Sequence, residues 1–255
     1  MTLPSAEEAV MLPLVITQVD ETFGCVSCLT RDGRWRRPEP VMLDEVSGSE
    51  PCYRFGDALY CRLGPTQSSA PRPEDRSLLA RLPMLEDVAE WRGQALECWL
   101  TGHCDESALA AFSGDRTVGL IRAQPEELAL IRSTRGRFLI LLGFTDEHEQ
   151  YHKWIVSDLP FSKWATDILL NAGDADQVAR QIIDRLRQTT FFLAVVLSRP
   201  KQNSLGAIRG CQPLVGGVHS FPSYRDILAE HSNAAGSEKK QIRNSNVRGE
   251  AVGLG

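Results

Sequence analysis

The chain has 255 residues, of which 42% are hydrophobic and 24% charged, and a net charge of -5. That composition is globular, and the length suits two small domains or one large one. An anionic total excludes a general polycation, so any nucleic-acid contact must come from a local patch. Seven cysteines, an odd number at irregular spacing, argue against a secreted disulfide framework. No apolar run approaches the roughly 20 residues that span a bilayer, and no basic segment precedes an apolar run near Met1. A soluble, cytoplasmic protein with no membrane contact is predicted.

Taken in chain order, residues 1–12 read as a loose leader and residues 14–19 as a first strand. Residues 24–38 read as a strand, a tight turn at Asp32-Gly33 and a second strand ending at Pro38. An Asp-Gly pair between two β-type runs is a strong hairpin signal. Residues 41–50 are polar and turn-like, and residues 58–63 give a further strand. Short strands at even spacing suggest a small barrel or sandwich. Pro73-Glu74-Asp75 has the pattern of a first helical turn, with carboxylates placed to favour the helix dipole. Pro83 interrupts that helix, and a helical period resumes with Leu85, Val88, Trp91, Ala95 and Trp99 along one face.

A second β unit begins at Thr117. Residues 128–132 and 137–144 flank a turn at residues 134–136, and residues 150–158 add a strand. Asp174 with Gln177 is a capping-box-like helix start, and Val178, Ile182 and Leu186 form its apolar stripe. Residues 191–197, continuously apolar, read as a buried strand, and residues 214–219 as the last one. Beyond residue 225 the chain is too poor in apolar groups to offset its ordering entropy, which predicts disorder.

The stretch Arg34-Trp35-Arg36-Arg37 interleaves cations with an indole. Alternation sends Arg34 and Arg36 to one face and Trp35 and Arg37 to the other. Arginines that hold phosphates beside an aromatic that stacks a base make a single-strand platform, each stack worth about 1–3 kcal/mol. The competing reading puts Trp35 in a core and leaves the arginines solvated. Arg72, Glu74, Asp75 and Arg76 form a dense charged loop, readable as a phosphate or divalent-cation site or as surface ion pairs at a helix start. Cys25 and Cys28 lack the second pair that a zinc knuckle needs. His148 and His152 read as exposed polar residues, and His219 has no evident catalytic partner. No Ser-His-Asp order, phosphate-binding Gly-Lys loop or dinucleotide fingerprint occurs.

Cys25 to Pro38, ending in Gly-Arg-Trp-Arg-Arg-Pro, resembles the opening signature of bacterial dual OB domain-containing proteins. Phe55-Gly56-Asp57 and Pro71-Arg72-Pro73-Glu74-Asp75-Arg76 resemble its later marks. In the second half, Phe144, the stretch from Trp154 to Asp158, residues 191–200 and Leu214-Val215-Gly216-Gly217-Val218 follow in matching order. The resemblance covers roughly residues 13–222. It departs at Arg72, where the family pattern tends to place a histidine between two prolines. It implies two OB barrels, nucleic-acid binding and a setting in bacterial defence or mobile elements, the last by fold-level analogy alone. It marks Cys25, Pro38, Glu74, Asp75 and Asp158 as motif positions of unknown role.

The expected architecture is therefore mainly β with added helices. It comprises a first OB-like barrel at residues 13–75, a helical connector at 76–115, a second barrel with an inserted helix at 116–222, and a disordered tail at 225–255. The expected function is non-catalytic binding of single-stranded DNA or RNA, with no cofactor. The contacts would come from Arg34, Trp35, Arg36, Arg37, Arg72 and Arg76 in the first barrel, and from Arg135 and Arg137 in the second. An adaptor that docks a protein partner is the main alternative, and a metal-dependent nuclease using Glu74 and Asp75 a third.

Overall fold

The computed structural model describes residues 6–65, 72–84, 88, 91–134, 136–199 and 208–226. The expected tail at 225–255 falls almost wholly outside them.

Among the described residues, ten of eleven strands form two closed five-strand barrels. In the first, β1 (Glu7–Gln18) pairs antiparallel with both β2 (Phe23–Thr30) and β5 (Leu59–Leu63). The circuit closes through β6 (Asp75–Leu82) and β3 (Trp35–Glu39), which run parallel to each other. A short β4 (Val41–Met42) and α1 (Asp44–Ser47) lie between β3 and β5. The second barrel repeats the plan. β7 (Val118–Arg132) pairs with β8 (Phe138–Asp146) and β10 (Thr190–Leu197), β8 pairs with β9 (Tyr151–Val156), and β9 runs parallel to β11 (Pro213–Phe221). The helices α3 (Leu159–Leu170) and α4 (Ala175–Leu186) link β9 to β10. Counting strands within each barrel, both follow the order 1-2-3-5-4-1, with the third and fifth strands parallel. This is the Greek-key circuit of an OB-like barrel, and the chain holds two of them.

Each first strand serves two neighbours, so it must bend. β1 shifts register between Pro13 and Val15, and β7 between Pro125 and Glu127. A proline, with no N–H to donate, fits such a bulge and would break a regular ladder.

Three apolar clusters result. One fills the first barrel with Met11, Val26, Cys28, Cys61 and Leu63 among others. A second fills the other barrel and seats α3 and α4 through Phe161, Leu169, Ile182 and Leu186. The third lies between the barrels. The outer side of β1–β2–β3 (Leu12, Leu14, Leu29, Trp35) meets Val118, Leu120, Phe192 and Ala194 of the second barrel, together with Leu96 and Leu100 of α2 (Gly93–Thr101).

Several sequence expectations are corrected here. The leader is strand from Glu7 onward, because its alternating inward residues Ala9 and Met11 complete the first barrel. Residues 75–82 are strand β6 rather than a helix. Pairing with β3 and β5 outweighs the helix-start pattern at Pro73, so the first barrel runs past residue 75 to Leu82. The later helix forms, but Ala95 is exposed and Leu96 and Leu100 face the core. Leu85 of its expected face lies outside the described residues. Asp174 does cap α4, accepting from the Gln177 N–H at 2.9 Å. Among the described residues no helix is long and apolar enough to cross a membrane.

Candidate functional site

The hairpin of β2 and β3 forms as read, with Gly33 at φ +80°, a backbone angle that favours glycine. The turn lies against His103, just after α2. A Cβ on Gly33 would come within 2.8 Å of His103 Cδ2. The alternation holds as well, yet neither face offers a basic aromatic track. Trp35 is 7% exposed and belongs to the cluster between the barrels. On the opposite face Arg36 donates to both carboxylate oxygens of Glu7, at 3.0 and 3.1 Å, and is buried at the end of the first barrel. Arg34 pairs with Glu7 and Asp32.

Arg37 is 1% exposed. Its Nη1 donates to Asp75 Oδ1 at 2.6 Å, its Nε to Ser27 Oγ at 3.2 Å, and its Nη2 to Thr117 Oγ1 at 3.3 Å. Glu74 completes the ring, accepting from the Thr117 N–H at 2.8 Å and the Thr117 hydroxyl at 2.9 Å. The parallel β3/β6 pairing brings these residues together, and Thr117 opens the second barrel. A buried charge needs a partner and full hydrogen bonding, and this ring supplies both across the inter-barrel boundary. The cation-site alternative for Glu74 and Asp75 loses its ligands to the ring. Arg72, half-buried, donates to the Leu197 carbonyl at 3.4 Å, a second tie to the other barrel. Arg76 turns back onto the carbonyls of Pro73 and Asp75. The charged residues expected to hold phosphates in the first barrel are therefore mostly used to close it and to fasten it to the second.

Of the motif positions, Pro38 pairs with Arg76 on β6, and Cys25 lies half-buried on β2. Cys28 faces the barrel interior, where burial pushes its thiol well above the ordinary range, so it is an inert core group. His152 is corrected from exposed to packed. It contacts the Phe144 and Trp154 rings and reaches Asp146 Oδ2 at 3.1 Å. Among the described residues no three His, Cys, Asp or Glu side chains gather as a metal site.

In OB-like barrels the ligand surface is the outer face of the second and third strands with the loops after strands one and four. In the first barrel that face is covered by the second barrel and α2. In the second barrel no described residue covers it. Ala129, Leu141 and Ile155 pair side by side across β7, β8 and β9, and Ile131 pairs with Leu139. All five point away from the core residues Leu128, Ile140, Leu142 and Val156 and are part-exposed. Tyr151, 54% exposed, shares that face, whereas Phe138, 45% exposed, and its pairing partner Arg132 alternate to the Ile140 side at the loop end of the sheet. The Arg132 guanidinium sits 6.0 Å from the Phe138 ring centroid. Residues 132–137 carry Arg132, Arg135 and Arg137 with no carboxylate, and residues 198–212 carry Arg199, Lys201 and Arg209 with none. Arg132 and Arg137 are exposed and make no ion pair among the described residues; Arg135 lies outside them. Arg137 was legible in the sequence, whereas Arg132, five residues earlier, carried the same signal unnoticed.

Asp158 and His219 stand where the barrels meet. Asp158 caps α3, accepting from the Phe161 N–H at 3.3 Å, and its other oxygen accepts from the Val218 N–H at 2.7 Å. Complete burial, opposed by those two bonds, pushes its carboxyl up to about 7. His219 Nε2 donates to the Leu14 carbonyl at 2.9 Å, and burial pulls its ring down to about 4. The signs are opposite. Between its unfolded value near ~3.9 and about 7, folded Asp158 holds a proton that the unfolded chain has lost, so its contribution to stability falls as pH rises. Between about 4 and the unfolded value near ~6.5, folded His219 lacks a proton that the unfolded chain holds, so its contribution rises with pH. Asp158→Asn, whose amide nitrogen cannot accept from a backbone N–H, carries a fixed penalty. Relative to wild type it then gains stability from pH 4 to 7, at up to roughly 1.4 kcal/mol per unit. Urea unfolding across that range measures the slope, and a pH-independent difference would contradict the assignment.

Compared with protein-family models and with curated protein sequences, the chain matches none.

Proposed function

We propose that this protein binds single-stranded nucleic acid through its second barrel, the first serving as a scaffold fastened behind it. The carrying observation is the asymmetry between two like barrels: one ligand face is buried, while the other is left uncovered by the described residues and is flanked by segments whose sequence is basic in an anionic chain. Tyr151 offers a ring on that face, and Phe138, Arg132 and Arg137 supply a second ring and charge for phosphates at its loop edge. The reading places the chain among dual OB domain-containing proteins, acting in the cytoplasm as a non-catalytic component of a bacterial defence or mobile-element system. It moves the ligand away from Arg34, Trp35, Arg36 and Arg37 and keeps Arg137.

The test is fluorescence anisotropy with a labelled single-stranded oligonucleotide. Log affinity is expected to fall linearly with log salt. Arg132→Glu with Arg137→Glu is expected to weaken binding at least ~30-fold at low salt, about 2 kcal/mol. Arg34→Glu is expected to leave it within ~2-fold. Affinity indifferent to salt and to the double reversal would overturn the proposal.

One observation favours a second reading, a docking surface for protein. The centre of the open face is aliphatic, with Ala129, Ile131, Leu139, Leu141 and Ile155, and Lys153 beside it is already paired with Glu127 at 2.6 Å. On this reading Leu141→Asp abolishes capture of a protein partner that survives nuclease treatment, and the arginine reversals leave it intact.

A further inference from the structure

The two barrels do not close fully on one another. A cavity of about 580 Å³ lies between them, within the size range of small-molecule sites. Its first-barrel side comes from β1, α1 and the segment before β5, with Leu14, Ile16, Val46 and Phe55 on the wall. Its second-barrel side comes from the start of α3, β11 and the turn after it, with Leu159, Val218 and Tyr224. Phe55 stacks on His219 with centroids 4.1 Å apart and planes 22° from parallel. Because His219 Nε2 donates to Leu14, its Nδ1 carries the lone pair, and the ring is an acceptor as well as a surface.

Three cations line the same cavity: Arg54, Lys163 and Arg225. The first two differ from the arginines of β3, each of which meets a carboxylate. Arg54 and Lys163 are exposed and make no ion pair among the described residues, and Arg225 lies 5.8 Å from the Tyr224 ring centroid. The one carboxylate on the lining, Asp158, is fully buried with both oxygens engaged by backbone N–H groups. Lys163 lies one turn into α3, whose positive dipole end faces this region. Arg225 also faces the Asp158 carboxyl and the Tyr224 hydroxyl, so the cavity joins two cations without an ion pair among the described residues, Arg54 and Lys163, and a third, Arg225, to an apolar and aromatic wall.

We infer that this cavity binds a compact organic anion of the nucleoside monophosphate class. Arg54, Lys163 and Arg225 hold the phosphate, and the wall of Leu14, Phe55 and Tyr224 receives the ring body. Two sources present this chemistry, a free nucleotide and the 5′-phosphorylated end of a strand. The site is separate from the open face of the second barrel.

Calorimetry on the full chain tests it with four probes: a nucleoside monophosphate, its nucleoside, inorganic phosphate and a 5′-phosphorylated dinucleotide. The monophosphate is expected to bind with Kd below about 1 mM and to raise Tm. Nucleoside and inorganic phosphate are each expected to bind at least ~10-fold more weakly. Lys163→Ala, an exposed site that leaves the unliganded Tm unchanged, and Arg225→Ala should each weaken the monophosphate at least ~5-fold. Arg132→Glu should not, which separates failure here from failure of the strand-binding reading. A dinucleotide that binds as well as the monophosphate identifies the strand end as the source, and a weaker one identifies the free nucleotide. No monophosphate binding, inorganic phosphate binding equally well, or variants without effect would overturn the inference.

Discussion

Arg37→Ala is expected to destabilise the protein by about 3–5 kcal/mol, the usual cost of removing one partner from a buried ion pair. The variant leaves Asp75 at 3% exposure and Glu74 at 4% exposure without their cation, in a boundary that water does not reach. Ser27 and Thr117 each lose a donor as well. Arg37→Lys should recover only part of the loss, because an ammonium cannot reproduce the fork that reaches three side chains at once. Arg37→Met combined with Asp75→Leu should recover more than either single change, since replacing both members of a buried pair with apolar groups can be close to neutral. Urea unfolding followed by tryptophan fluorescence measures all five. A loss below about 1 kcal/mol for Arg37→Ala would contradict the buried ring.

Gly217→Ala is the second large effect. On β11 a Cβ at this position would stand 1.9 Å from the Leu14 carbonyl oxygen, 2.8 Å from His219 Nε2 and 3.1 Å from the Ala194 Cβ. The first obstacle is backbone of the other barrel and cannot rotate away. Relief requires β1 and β11 to part, which breaks the His219–Leu14 bond and opens the apolar cluster between the barrels. A loss of at least about 3 kcal/mol is expected, the upper end of overpacking costs. By contrast Gly173→Ala, with nothing within 4 Å of the added Cβ, should change stability little. Thermal unfolding of the two variants measures the contrast, and equal small shifts would mean that the barrels can separate at little cost.

Local chemistry made much of the fold legible. Asp32-Gly33 announced its hairpin, Asp174 its helix, and the apolar run ending at Leu197 its buried strand. The Asp158-Leu159-Pro160 start of α3 carried a cap and an early proline, a signal that was present and missed. What failed was non-local. β6 starts with a helix-like Pro-Glu-Asp and becomes a strand only because β3, nearly forty residues earlier, offers a parallel edge. Alternation correctly divided Arg34 and Arg36 from Trp35 and Arg37, but it cannot say which face another domain will cover. The same charged motif therefore suggested a ligand site and proved to hold barrel to barrel. Arg54, Lys163 and Arg225 come from a loop, a helix and the helical turn after β11, and no spacing in the chain links them.

The central claim is that one OB face is closed by the other barrel while the second remains open for a strand. Hydrogen exchange with and without a single-stranded oligonucleotide tests it directly. Added protection is expected on β8, β9 and residues 132–137, with β2 and β3 unchanged. Protection confined to β2 and β3, or none at saturating oligonucleotide, would contradict it.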